Sequence, residues 1–141
     1  MSDKIVTVSQ KVNTSIERVW KAITHKDQMK NWYFELEEFL PEKGFKFEFI
    51  GYGHTGEQFN HLCEITEVIP LKKLQYSWEY KGYVGKSFVT FYLDGNAKST
   101  TITVTHEGIE TFPDHPDFEK SNFTGGWKHI IKESLYNYLT K

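Results

Sequence analysis

The feature that most limits the fold of this chain is the amphipathic stretch at its end, residues 121–139. Apolar residues recur there at the three- and four-residue spacing of one helix face: Trp127, Ile130, Ile131, Leu135, Tyr138 and Leu139. A helix with one apolar stripe must bury it against another element, and nearly every upstream segment has the pattern of a β-strand. The sequence therefore predicts an α+β fold in which a curved antiparallel sheet grips a C-terminal helix.

The bulk properties of the chain exclude several classes of function. A length of 141 residues predicts a single domain, residues 1–141, with a substantial core. The 17 Lys and Arg against 19 Asp and Glu form no basic stripe, so we expect no nucleic-acid partner. No apolar run reaches the ~18 residues of a membrane span, and the one cysteine, Cys63, cannot form an internal disulfide. We expect a cytoplasmic protein that is a monomer or a weak dimer.

The first forty residues predict a strand, two short helices and an edge strand. Residues 4–12 alternate apolar and polar side chains, as a half-buried strand does. Thr14 opens a capping box and is the expected N-cap of a helix that ends near Ile23. A second short helix is expected at residues 25–32, and an edge strand at residues 35–40.

The middle of the chain predicts the rest of the sheet. Alternating patterns between turn residues predict strands at 45–49, 59–69, 74–80, 87–93 and 100–106. In the second of these, Cys63, Ile65 and Ile69 are expected on one apolar face. Residues 108–122 have no periodicity and are interpreted as a linker. The glycines at 125–126 indicate either a ragged helix start or a close backbone approach, and the sequence does not decide between these.

Aromatic residues make up 16% of the chain and allow two explanations. They could fill a large core, or they could line a pocket, because ligand sites are mostly apolar with a few polar groups. For the pocket, the expected site lies between the sheet and the C-terminal helix, with His106 and Tyr80 as polar groups. The residues predicted to line it are Phe49, Tyr76, Trp78, Tyr80, Phe91, His106, Trp127 and Ile131. The alternative for His106 is a hydrogen-bonded histidine at a strand end.

No catalytic residue, cofactor site or metal site is predicted. Residues 51–56 match the letters of a dinucleotide fingerprint, but a strand follows them where the fingerprint needs a helix. The six histidines lack metal-ligand spacing, and we interpret His54 and His61 as solvated loop histidines. Cys63, in the middle of an apolar strand face, is interpreted as an inert buried thiol.

Short motifs across nearly the whole chain resemble a known family. They are similar to those of proteins related to the activator of Hsp90 ATPase, in the START-like (Bet v 1-like, SRPBCC) superfamily. Two features depart from the pattern: residues 13–14 are Asn-Thr near the position where the family has alanine, and the loop before the last helix is long. The matching motifs are VNTSIERVWKAIT at 12–24, MKNW at 29–32, GFKF at 44–47, EVIP at 67–70, LQYSW at 74–78, VTF at 89–91 and GW at 126–127.

The resemblance implies a helix-grip fold, with two short helices after the first strand and a long C-terminal helix across the sheet. It implies a binding module for a small hydrophobic or amphipathic ligand. The alternative is a protein-interaction module of the Hsp90 co-chaperone type, with a chaperone as partner. A third hypothesis is a cyclase- or hydrolase-like enzyme that uses the same cavity, with His106 or Tyr80 as general acid or base. Full-length co-chaperones carry a separate N-terminal domain that has no counterpart here, so the ligand-binding function is preferred.

Overall fold

The computed structural model describes residues 5–53 and 55–140. Within these residues, six strands form one curved antiparallel sheet in the spatial order β1-β6-β5-β4-β3-β2. The strands are β1 (Val6–Val12), β2 (Lys46–Tyr52), β3 (Gln58–Ile69), β4 (Lys73–Tyr80), β5 (Ser87–Gly95) and β6 (Thr100–Glu107). This order places the first strand beside the last one and leaves β1 and β2 at the two edges.

Two short helices follow β1, and a long helix ends the chain. The long helix has three parts: α3 (Lys120–Lys128), a π-helical segment (His129–Leu135) and α4 (Tyr136–Leu139). The helices after β1 are α1 (Ile16–Thr24) and α2 (Lys26–Met29), and two short 3-10 turns (Ile109–Thr111 and Pro116–Phe118) lead into α3. No helix in the described residues is long and apolar enough to cross a membrane. The predicted helix-grip architecture is confirmed.

The C-terminal helix buries the apolar stripe that the sequence predicted. Trp127, Ile131, Leu135 and Leu139, each four residues apart, are all buried. In an α-helix of 3.6 residues per turn, a spacing of four drifts around the axis. The wider turn of the π-helical segment reverses that drift, so the four side chains stay on the side that faces the sheet. Lys132 fixes the helix to β1, because its Nζ donates to the backbone oxygen of Ser9 at 2.7 Å.

The first helices differ from the prediction in their boundaries. Ser15, and not Thr14, is the N-cap of α1, because its side chain accepts a hydrogen bond from the backbone N–H of Arg18 at 3.2 Å. The second helix ends at Met29, three residues before the predicted end. Adjacent Thr and Ser residues are both good caps, so the sequence alone does not choose between them.

The edge strand predicted at residues 35–40 is wrong. All six residues are described, and none belongs to a strand. Leu36 and Phe39 are both buried although they are three residues apart, whereas a strand buries every second residue. The segment is an irregular stretch that places these two apolar side chains in the core.

A bulge in β3 changes which side chains face the core. Ile65 and Glu67 pair with neighbouring residues of β4, so Thr66 between them is an extra residue in the ladder. Beyond the bulge, Val68 packs against the core and Ile69 is 40% exposed. The prediction that Ile69 shares the buried face of Ile65 is therefore wrong.

The two glycines of the last helix neither mark a ragged helix start nor approach the sheet closely. Gly125 and Gly126 lie inside α3, which begins at Lys120, so they do not mark a ragged start. A Cβ atom added to either would meet no atom within 4 Å. Their backbone therefore makes no close approach to the sheet.

Candidate functional site

The eight residues predicted to line a cavity all lie in the interior. They come from four strands and the C-terminal helix, and none is more than 6% exposed. They are Phe49 on β2, Tyr76, Trp78 and Tyr80 on β4, Phe91 on β5, His106 on β6, and Trp127 and Ile131 on the helix. That they bind a ligand stays a prediction.

Most of these residues pack directly on one another. The ring of Trp127 lies 5.9 Å from that of Trp78 and 6.0 Å from that of Phe91. Trp78 in turn meets Phe49 edge to face at 5.7 Å. Aromatic pairs at such separations are in favourable contact. The deep interior is therefore an aromatic core, and space for a ligand has to be sought nearer the surface.

His106 is held in the core by hydrogen bonds on both ring nitrogens. The indole Nε1 of Trp127 is only a donor, so Nδ1 of His106 accepts its hydrogen bond at 3.0 Å. Desolvation, together with nearby His61, lowers the pKa of His106 from 6.5 to about 3, so the ring is neutral and Nε2 carries the proton. That N–H donates to Ser87 Oγ at 2.7 Å, and the Ser87 hydroxyl donates to the backbone oxygen of Trp78 at 3.3 Å.

The directions of these bonds argue against a catalytic role for His106. A serine oxygen 2.7 Å from a histidine nitrogen has the spacing of a nucleophile and its general base. A base, however, needs an unprotonated nitrogen facing the serine, and here that nitrogen carries the proton. His106 and Ser87 are also both 0% exposed. In this arrangement they form a structural hydrogen-bond chain.

Cys63 has the environment of an unreactive thiol. It is buried on β3, and desolvation raises the pKa of the thiol well above its usual range. The thiolate is the reactive form, so a raised pKa suppresses reactivity at neutral pH. This environment fits the interpretation of Cys63 as an inert thiol.

An open cleft of about 160 Å³ lies where the ends of β2, β3 and β4 face the start of the C-terminal helix. Aromatic rings form much of its wall, and polar side chains lie between them. The lining residues are Phe34, Gly51, Tyr52, Gly53, Phe59, His61, Tyr80, Asp117, Phe118 and Asn122. Of the eight predicted residues, Tyr80 lines this cleft directly, and Phe49 lies behind it, stacked on His61 at 4.5 Å.

Larger hollows on the outside of the sheet are poorer candidates. One of about 350 Å³ is lined by Lys46, Glu48, Glu64 and Glu79 among others, and one of about 460 Å³ lies along the β2 edge. Charged side chains make up four of the eight lining residues of the first and three of the seven of the second. The smaller cleft alone among these combines aromatic walls with buried polar groups, which is the usual make-up of a ligand site.

His61 is the polar group that the sequence analysis misjudged. It lies on β3, is 7% exposed, and is not a solvated loop residue; His54 lies outside the described residues. Desolvation lowers the pKa of His61 to about 4, so the ring is neutral. Nδ1 lies 3.2 Å from the backbone oxygen of Phe59 and must donate to it. Nε2 is therefore an acceptor, and no hydrogen bond to it is formed at bonding distance within the described residues; the backbone of Phe49 also interacts with the ring.

Tyr80 and Trp78 complete a polar corner beside His61. The rings of Tyr80 and Trp78 each lie 4.9 Å from that of His61. Burial raises the pKa of the Tyr80 phenol, and the Trp78 side chain opposes this rise. Trp78 Nε1 is buried and reaches no acceptor at hydrogen-bond distance within the described part of the chain. Unmet hydrogen-bonding capacity therefore concentrates at this corner.

Three side chains at the rim of the cleft are of the types that bind metal ions and lie close together. Glu57, His115 and Asp117 place their ligand atoms within 4.8 Å of one another. His115 Nδ1, however, accepts the backbone N–H of Asp117 at 3.0 Å, and its Nε2 lies 3.3 Å from Glu57 Oε1. A neutral imidazole with one nitrogen accepting has its proton on the other, so neither nitrogen offers a free lone pair. As arranged, the three residues do not fit a metal ion.

Solved structures with the same fold are found in several bacteria. DynU16, a protein in the dynemicin biosynthetic locus, is 24% identical, with a TM-score of 0.78 over 99% of this chain; the chain spans 48% of DynU16, about half its length. MLL2253 from Mesorhizobium loti is 23% identical, with a TM-score of 0.75 and 96% of each chain covered. CV1439 from Chromobacterium violaceum is 16% identical, with a TM-score of 0.82 and 99% of each chain covered. Likeness at these identities establishes the fold alone.

The sequence itself identifies the family. No curated protein matches the chain significantly. A family model described as activator of Hsp90 ATPase homolog 1-like protein matches residues 13–140. This match and the helix-grip architecture show that the chain belongs to the activator of Hsp90 ATPase homolog 1-like family, within the START-like (SRPBCC) superfamily.

Proposed function

We propose that this protein binds a small hydrophobic or amphipathic ligand in the cleft between the sheet and the start of the C-terminal helix. The observation that carries the proposal is the polar corner of His61, Tyr80 and Trp78 within aromatic walls. A buried polar group without a partner costs on the order of 1–3 kcal/mol. A ligand that supplied the missing partners would offset that cost.

The family and fold support the same conclusion. The chain has a ligand-binding fold, and one relative of the same fold, DynU16, belongs to a biosynthetic locus. A locus of that kind makes small molecules, which agrees with a small-molecule ligand here.

Two of the residues predicted from the sequence lie at the proposed site: Tyr80 lines it, and Phe49 lies behind it against His61. Phe34 lines the cleft and stacks on Phe49 at 4.1 Å, with nearly parallel rings. Phe34 belongs to the irregular segment between α2 and β2.

Binding to an Hsp90-type chaperone remains the alternative function. It rests on family membership, because the family is defined by an activator of the Hsp90 ATPase. A saturating concentration of this protein that leaves the chaperone's ATPase rate unchanged would remove this alternative.

The test of the ligand-binding function is a titration with and without an obstruction in the cleft. The probes are phenol, 2-phenylethanol and 1-hexanol, followed by ¹H–¹⁵N NMR. Asn122 is exposed on the first turn of α3 and lines the cleft, so Asn122→Trp would fill it without altering the core. We expect saturable shifts around His61 with at least one probe in the original protein and their loss in Asn122→Trp.

Two control variants separate obstruction from other effects. Ser121→Trp adds the same side chain at the neighbouring exposed position, which does not line the cleft. Asn122→Ala removes the hydrogen bond from Asn122 Nδ2 to the backbone oxygen of Asp117 but leaves the cleft open. Both should bind as the original protein does. The proposal fails if no probe binds saturably, or if Asn122→Trp binds as well as Ser121→Trp.

A further inference from the structure

We propose that the ligand of this cleft is a neutral molecule with a single aromatic ring whose polar substituent both donates and accepts a hydrogen bond, as the hydroxyl of phenol does. This inference rests on the proposed function, since it names the ligand class of the same site. It follows from the size of the cleft, from the direction of its unused hydrogen bonds and from its charge.

The size of the cleft sets the size of the ligand. Its volume is about 160 Å³. An engineered apolar cavity of about 150 Å³ in another protein holds one benzene molecule. Phe34, Phe59 and Phe118 supply aromatic walls that suit a flat ring. One ring fits, and a fused ring system or a long acyl chain would have to extend into solvent.

The direction of the unused hydrogen bonds sets the polar substituent. His61 uses Nδ1–H to reach the backbone oxygen of Phe59, so its Nε2 can only accept, and the ligand must donate there. Tyr80 lines the same cleft, with its ring 4.9 Å from that of His61, and its hydroxyl hydrogen can be donated to a ligand acceptor. A hydroxyl group on the ring meets both demands with one oxygen.

The charge of the lining excludes an anion. The described residues that line the cleft include no lysine or arginine, and His61 is neutral. Asp117 contributes a carboxyl group that is only 4% exposed. A carboxylate ligand would have to leave water for a cleft whose described lining holds no compensating cation, which is costly.

The experiment compares three probes of nearly the same shape. Phenol, toluene and benzoate are titrated at neutral pH by NMR or calorimetry. One net hydrogen bond is worth about 0.5–1.5 kcal/mol and the phenol oxygen makes two, so we expect phenol to bind at least about fivefold more tightly than toluene. Benzoate should bind more weakly than either. Equal affinity for phenol and toluene, or tighter binding of benzoate, would overturn the inference while leaving the cleft a ligand site.

A variant pair tests whether the preference comes from the named groups. Tyr80→Phe keeps the ring and removes the hydroxyl, so the phenol-to-toluene ratio should fall towards one with toluene affinity unchanged. Tyr92→Phe is the matched control, because Tyr92 lies on β5 away from the cleft and is 41% exposed. A ratio in Tyr80→Phe as high as in Tyr92→Phe would contradict the assignment. If none of the three probes binds, this inference fails, and the proposed function fails only if 2-phenylethanol and 1-hexanol do not bind either.

Discussion

Two histidines lie on either side of one tryptophan, and their surroundings differ in a way that separates structure from function. The ring of Trp78 is 5.2 Å from that of His106 and 4.9 Å from that of His61. Both histidines are buried and neutral. His106 has a partner for each nitrogen, whereas among the described residues only Nδ1 of His61 has one at bonding distance.

This contrast distinguishes a buried polar side chain that stabilises the fold from one that can bind a ligand. Both ring nitrogens of His106 are hydrogen-bonded, so neither is available to a ligand. Its role is to hold β6 against the C-terminal helix. A half-satisfied group at the edge of a cleft keeps one bond available. If this distinction is correct, substitutions around His106 should affect stability, and those around His61 should affect binding.

The largest effect is expected from Trp127→Ala. The change removes a buried ring and the donor to His106, so we expect a loss of about 3–5 kcal/mol in the free energy of unfolding. Urea denaturation followed by circular dichroism measures it. Gly126→Ala, the exposed neighbour in the same helix, should be neutral or stabilising by up to about 1 kcal/mol. A loss below about 1 kcal/mol in Trp127→Ala would show that contacts other than those of Trp127 anchor the helix to the sheet.

Ser87→Ala should come next. It leaves the Nε2–H of His106 buried without an acceptor, which costs about 1–3 kcal/mol. Ser9→Ala removes a hydrogen bond to Thr103 at the surface and should cost no more than about 0.5 kcal/mol. The same denaturation experiment compares the two serines, and equal effects would contradict the view of His106 as a structural centre.

Acidification should act on both histidines alike. In the unfolded chain each takes up a proton near pH 6.5, but in the folded protein only near pH 3 for His106 and pH 4 for His61. The unfolded state therefore binds more protons as the pH falls below 6.5, and stability drops by up to about 1.4 kcal/mol per pH unit for each ring. Between pH 7 and pH 5, His61→Phe should remove the contribution of one histidine to the pH dependence of the free energy of unfolding. An unchanged slope would mean that His61 is not neutral in the folded protein.

The smallest effect on stability is expected from Tyr80→Phe. The Tyr80 hydroxyl makes no hydrogen bond with the described residues at bonding distance, so its loss should change the free energy of unfolding by less than about 0.5 kcal/mol. Tyr76→Phe is the contrast, because the Tyr76 hydroxyl lies 2.6 Å from that of Tyr33 and should cost about 1 kcal/mol. A cost for Tyr80→Phe as large as for Tyr76→Phe would place Tyr80 with His106 as a structural group.

Periodicity was sufficient to predict the fold but only part of the site. The stripe on the last helix and the alternation on β4 predicted the buried faces correctly. The alternation breaks at the bulge, where Thr66 and Glu67 are both polar and the next two residues, Val68 and Ile69, are both apolar. Either of those two apolar residues could continue the buried face, so the sequence pattern did not decide between them. The burial of His61 could have been predicted, since it is two positions from Cys63 and therefore on the strand face that was expected to be apolar.

The rest of the cleft could not be predicted from sequence patterns. Asp117 and Phe118 lie in a segment without periodicity, more than fifty residues along the chain from His61. Only the folded arrangement brings them to the ends of β3 and β4. Residue spacing describes a single helix or strand and does not predict which distant segments come into contact.

The extra residue in β3 shifts the alternation of inward- and outward-facing side chains by one position between the two halves of that strand. One half presents His61 to the cleft, and the other presents Val68 to the core, on opposite parities of the sequence. Deleting Thr66 would make the ladder regular and force one half to turn over, so that either the cleft loses its histidine or the core loses its valine. Insertions and deletions in this strand should therefore be far less tolerated than in the loops at its ends.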